Sequence, residues 1–137
     1  MGSEMCIRDS GRPCGSFTFE VDADLPYRYG GVSGDRPLHS LNERAAQSEG
    51  FPRKILQGMC TFAMCGSAVV AELAAGRPER LRRLAGRFAS PVLTGGQLVV
   101  EFYDAGTSPE GDRIVAFEAT SAGATVVKHG RAEIAGS

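Results

Sequence analysis

Hydrophobic and polar positions alternate from Ser16 to Val21, with Phe17, Phe19 and Val21 on one face and Thr18 and Glu20 on the other. A period of two is that of a half-buried strand. The alternation stops in the stretch DADLPYRYGGVSGDRPLH, which is rich in Gly, Pro and Asp. Its first half fits a helical turn around Leu25 to Tyr29, while Gly30, Gly31, Gly34 and Pro37 predict loop for the remainder. Ser40 and Glu43 stand at capping-box spacing, which predicts a short helix from Leu41 to about Ser48, stopped at Gly50.

The segment Gly58 to Ala75, GMCTFAMCGSAVVAELAA, carries a single charge and has apolar or small residues on every side of a helical wheel. A helix that is apolar all round is expected to be buried all round. Gly76, Arg77 and Pro78 end it. Strand-like stretches follow at Leu81 to Ser90, Gln97 to Tyr103, Arg113 to Thr120 and Thr125 to Ile134, separated by the turn clusters PVLTGG, DAGTSPEGD and SAG. Successive strands joined by short turns, with no helix between them, form an antiparallel sheet. The expected architecture is therefore α+β, an antiparallel sheet curled around one long central helix.

A chain of 137 residues, 42% of them hydrophobic, holds one core and is too short for two ordinary domains. Residues 1 to 15 show neither period and are read as a disordered or non-native lead, leaving 16–137 as the domain. The piece MCIRDS within that lead looks like translated sequencing-adapter text, so a segment upstream of the present start is left open. The formal net charge of -1 excludes the strongly positive surface that non-specific nucleic-acid binding needs. The cysteines at 6, 14, 60 and 65 form no C-x-x-C pair, and no histidine spacing completes a tetrahedral zinc site, so no metal is expected. Cys60 and Cys65 are read as buried thiols on different sides of the long helix, which suits a reducing cytoplasm. No stretch approaches the roughly 20 apolar residues of a membrane span, and no apolar signal-peptide core is visible at the N-terminus.

Only two histidines are present, and His39 lies four residues after Asp35 in the glycine-rich loop. Taken alone, that spacing fits an Asx-type turn before Pro37 and a surface histidine. His129, in the last strand, reads as a surface residue. The arginines of RPERLRRLAGR could meet phosphates of coenzyme A, but they fit a solvated strand face equally. No nucleophile elbow, Walker loop or dinucleotide fingerprint is present.

A resemblance over Phe17 to Ile134 changes the reading of the loop. SGDRPLH, followed by AAQSEGFPRKILQGMCTFAMCGSAVV, is similar to the hydratase motif of MaoC-like enzymes, S-G-D-x-N-P-L-H, then A-x-x-x-G-F, then P-I-L-H-G-L-C-T. RFASPVLTGGQL is similar to the family's R-F-x-x-P-V-x-P-G-x-x-L strand. The resemblance implies a single hotdog fold and a cofactor-free lyase that adds water to a trans-2-enoyl-CoA, or removes it from an (R)-3-hydroxyacyl-CoA; coenzyme A is part of the substrate. It implies Asp35 and His39 as the acid-base pair, Gly58 as the oxyanion-hole residue, and Gly34, Gln57 and Met59 as substrate contacts. Water addition needs a base to take a proton and an acid to return one at the α-carbon. Negative charge gathering on the thioester oxygen is met by N–H groups at a helix N-terminus.

This chain departs from the motif in three places. The Asn is missing, so four residues rather than five separate Asp35 from His39; Gln57 stands where His is usual; and Gly96 replaces an acidic residue. The spacing from Asp35 to Gly50 and Phe51 is the usual one, so an ungapped alignment puts Ser40 in the position of the histidine. Serine cannot replace imidazole as a base near neutral pH, and His39 is taken as the functional residue. The departures define a second reading, a non-catalytic acyl-CoA-binding or structural hotdog. A hotdog thioesterase would use an acidic residue on the long helix, where only Glu72, near the far end, is available. The open sheet edge of a lone hotdog predicts a homodimer or a sister hotdog domain as partner.

Overall fold

The computed structural model describes residues 11–136. β1 (Pro13–Glu20) begins three residues before the expected start at Ser16; residues 1–10 of the expected lead lie outside the described residues. Then come α1 (Leu25–Ser33), α2 (Leu38–Leu41), α3 (Glu43–Ser48) and α4 (Gly58–Leu73). A short 3-10 turn, Pro78–Arg80, leads into β2 (Leu81–Phe88), β3 (Gln97–Thr107), β4 (Arg113–Ser121) and β5 (Ala124–Ile134).

All five strands join one antiparallel sheet in the order β1-β3-β4-β5-β2. α4 touches β1 and β2, which are the two edges, and also β5. A helix can reach both edges of a five-stranded sheet only if the sheet curls around it, so the expected wrap is present. Alternation along the strands supplies the inner face: Leu98, Val100 and Phe102 from β3 and Val115, Phe117 and Ala119 from β4 are buried. They meet Cys60, Cys65, Ala68 and Val69 of α4. Each large aliphatic or aromatic side chain removed from water in this way contributes about 1.5–3 kcal/mol. Cys60 and Cys65 are free, buried thiols, and burial pushes the Cys65 thiol up to about 12.

Two features of the sheet bring backbone unusually close to its neighbours. Between Phe117 and Ala119 of β4, β5 carries an extra residue, and His129 there has φ 56°. This is a bulge with a left-handed residue, which sharpens the local twist. The next residue, Gly130, packs against the Phe117 carbonyl and ring with no room for a Cβ. His129 itself is exposed, as expected.

Several expectations need correction. Gly30 and Gly31 are helical, because α1 starts with Pro26 in its first turn and runs to a left-handed cap at Gly34, φ 82°, whose N–H donates to the Gly30 carbonyl at 3.0 Å. Ser40 does not cap the following helix: Asn42 does, accepting from the Ala45 N–H at 2.9 Å, while Ser40 is wholly buried. α4 is not covered on all sides by the described residues. Met59, Ala63, Ser67 and Ala71, spaced four apart on one stripe, face outward, with Met59 54% exposed. Among the described residues no helix is long and apolar enough to cross a membrane.

Candidate active site

The loop between α1 and α2 carries Asp35, and its backbone is held on every side. The Ser33 hydroxyl donates to the Tyr29 carbonyl at 2.7 Å and accepts from the Asp35 N–H at 3.1 Å. The Asp35 carbonyl accepts from Gln57 Nε2 at 3.1 Å, and Arg36 Nε donates to the Gly30 carbonyl at 3.1 Å. Gly30 lies beneath this loop: a Cβ there would come within 3.2 Å of the Asp35 carbonyl oxygen and of Arg36 Cγ. A side chain larger than hydrogen at position 30 would therefore lift the loop.

α2 begins directly after Pro37 and carries His39. Its Nδ1 lies 3.0 Å from Glu49 Oε1, and its ring meets Phe51 edge-on with centroids 6.4 Å apart. The His39 carbonyl accepts from the Ile55 N–H at 3.1 Å, tying α2 to the segment that leads into α4. Ser40, one position on, turns inward and its hydroxyl is buried with no hydrogen-bond partner among the described residues. His39 lines the cavity together with Asp35, whereas Ser40 does not.

That cavity has a volume of about 480 Å³ and lies at the N-terminal end of α4. Asp35, His39, Gln57 and Gly58 all line it. At the start of α4, the Cys60 and Thr61 N–H groups donate to the Gln57 carbonyl at 3.0 and 3.2 Å. The N–H groups of Gly58 and Met59 belong to the first turn, which has no intrahelical acceptor for them, and they carry the positive end of the helix dipole. Phe88, at the end of β2, roofs this point, since a Cβ on Gly58 would meet its ring at 3.5–3.7 Å. Ile55, Leu56, Pro91 and Val92 add apolar wall. The arrangement offers a carboxylate, an imidazole and free N–H donors in one partly apolar cavity, the set needed for proton transfer beside a polarised carbonyl.

Gln57 is only 2% exposed, and two carbonyls fix which way its amide points. Nε2 donates to Pro26 at 2.9 Å and to Asp35, so Oε1 is left buried without a donor among the described residues. Gln57 thereby anchors the Asp35 loop to the start of α4. The structure does not bring Gly34 or Met59 to the cavity. Gly34 serves as the cap of α1, and Met59, one helical step of about 100° past Gly58, points to the open stripe. Thr61, Phe88 and Val92 line the cavity without having been singled out as site residues. Their signal lies in GMCT and RFASPV, two stretches that carry the motif resemblance without marking these positions as site residues. Arg77, Arg82 and Arg83 are engaged with Glu79, Asp112 and Glu133 on the protein surface, which favours the solvated-face reading of that run.

A curled antiparallel sheet around a central helix defines a hotdog domain, here with an Asp, a His and the helix N-terminus on one cavity. The MaoC-like domain model matches residues 16–127, and the chain belongs to that family. It is 46% identical over 78 residues to 3-hydroxyacyl-thioester dehydratase Y of Mycobacterium tuberculosis, a match covering 56% of this chain and 26% of that protein. It is 38% identical over 73 residues to the peroxisomal enoyl-CoA hydratase 2 of Arabidopsis thaliana, covering 53% and 23%. The chain thus spans about a quarter of these curated relatives. Among solved structures, the unliganded R-hydratase PhaJ1 of Pseudomonas aeruginosa is similar at TM-score 0.78 and 28% identity, over 90% of this chain and 79% of that one.

Proposed function

We propose that this domain hydrates trans-2-enoyl-CoA thioesters to (R)-3-hydroxyacyl-CoA, and catalyses the reverse dehydration, without a metal or a separate cofactor. The observation that carries the reading is the convergence of Asp35, His39 and the N-terminus of α4 at Gly58 on one cavity. Asp35 and His39 between them hold one water. One takes a proton as the water oxygen bonds to the β-carbon and the C=C electron pair moves toward the thioester; the proton returns at the α-carbon. The thioester oxygen gains charge in that interval, and the N–H groups opening α4 stabilise it. Gly58 keeps a side chain out of the space where that oxygen must approach. The names of the two curated relatives and of the R-hydratase structure support the same reaction class.

The test is direct. With crotonyl-CoA or a longer trans-2-enoyl-CoA, the purified protein is expected to consume the enoyl absorbance and yield the (R)-3-hydroxyacyl product. Binding of acyl-CoA with no turnover at any chain length would replace the enzyme with a binding module.

The outward stripe of α4 supports pairing with a second hotdog, either another copy of this chain or a sister domain. Small residues at 63, 67 and 71 let another element approach closely, and leaving the stripe in water forfeits its burial. A dimer is expected in light scattering at micromolar concentration; a stable monomer would point to a sister domain. Free thiols at positions 14, 60 and 65 support a reducing compartment such as the cytoplasm.

A further inference from the structure

Resting on the hydratase reading, we propose that Glu49 is a positioning residue that fixes His39 in a single tautomer and presents Nε2 to the cavity. Glu49 Oε1 lies 3.0 Å from His39 Nδ1. An ionised carboxylate only accepts, so the nitrogen facing it carries the proton; in the neutral ring the lone pair then resides on Nε2. Glu49 lies outside the cavity wall while His39 is part of it, so Nε2 is the nitrogen left to the cavity. In the free amino acid the opposite tautomer competes, and it would offer the water a donor instead of a base.

The ring is also held in orientation. Phe51 meets it edge-on, with planes at 79°, and Glu49 and Phe51 come from one tight turn. Gly50 between them has φ 97°, and the N–H groups of Gly50 and Phe51 donate to the Gln47 and Ala46 carbonyls. A left-handed residue at this point lets its two neighbours grip the same imidazole. The consequence for the reaction is an assignment. Nε2 of His39 takes the water proton as the oxygen bonds to the β-carbon, and the imidazolium returns that proton to the α-carbon. Glu49 faces the transient positive charge meanwhile. The second water hydrogen stays on the new hydroxyl, so no other proton source is needed.

Nitrogen-15 NMR of the histidine rings, recorded above their titration, tests this independently of turnover. His39→Ala identifies the His39 signals against those of His129. The wild type is expected to show a pyrrole-type Nδ1 and a pyridine-type Nε2 for His39. Glu49→Ala should shift His39 toward the Nε2–H form and lower kcat by about 10- to 100-fold, with KM changed less. Glu49→Gln, whose Oε1 can still accept from Nδ1–H, should keep the tautomer and restore part of kcat. Thermal unfolding should be nearly unchanged in both, since a half-exposed pair contributes little to stability. An Nε2–H tautomer in the wild type, or an unaltered tautomer in Glu49→Ala, overturns the proposal. If the wild type lacks hydratase activity but the tautomer follows Glu49, the positioning role stands and the hydratase reading falls.

Discussion

Asp35→Asn and His39→Ala are each expected to lower kcat/KM for enoyl-CoA hydration by about a hundredfold or more, while Ser40→Ala leaves it unchanged. Asparagine keeps the size and shape of Asp35 but lacks the carboxylate charge that helps hold the water and offset the imidazolium beside it, and its backbone would still donate to Ser33 and accept from Gln57. Loss of rate without loss of fold would therefore locate the effect in chemistry. His39→Ala removes the imidazole and leaves the Ile55 N–H bonded to the position 39 carbonyl. Ser40 is the control on register. Its hydroxyl is buried and has no partner among the described residues, so alanine there removes an unsatisfied group. Stability should stay level or rise, by up to about 1 kcal/mol. If Ser40→Ala abolished turnover and His39→Ala spared it, the loop would function in the other register.

Gly130→Ala is expected to be severely destabilising, by about 3 kcal/mol or more in urea unfolding. A Cβ at this position would overlap the Phe117 carbonyl oxygen and lie 2.6 Å from two carbons of the Phe117 ring. The carbonyl belongs to the β4–β5 ladder and cannot turn away without breaking it, and Phe117 is itself packed in the core. Gly31→Ala supplies the contrast. Gly31 lies in α1 with nothing within 4 Å of its would-be Cβ, so alanine should stabilise by about 0.5–1 kcal/mol through helix propensity. Equal effects at the two positions would mean that backbone freedom, and not close approach, explains Gly130.

The strands and the long helix were legible because their periods are set by burial. β2 to β5 begin within one residue of the expected positions, and α4 begins at Gly58 as read. What failed was local punctuation overruled by tertiary contact. Gly30 and Gly31 looked like helix breakers, yet both lie inside a helix that runs on to the Gly34 cap, and at Gly30 the small residue lets the Asp35 loop pack closely, a Cβ there coming within 3.2 Å of it. Ser40 looked like a cap, yet it is interior, and Asn42 caps instead. Asp35, His39, Gln57 and Gly58 were found through motif resemblance and do share a cavity; Asp35 and His39 on spacing alone looked like a turn and a surface ring. Glu49 could not have been found this way. Its meeting with His39 depends on how α3 ends and turns back, which neither period nor motif records.

The clamps on the Asp35 backbone determine when the entropy of ordering the reactive loop is lost. With Ser33, Arg36 and Gln57 holding it, the loop is ordered as part of the fold, before any ligand arrives. Freezing one residue's backbone costs roughly 1–2 kcal/mol, so a four-residue loop ordered only on binding would weaken affinity by several kcal/mol. Here that loss is charged to the stability of the fold, and substrate meets a preorganised site. The expense is borne where a large core can offset it, and association is not gated by loop closure.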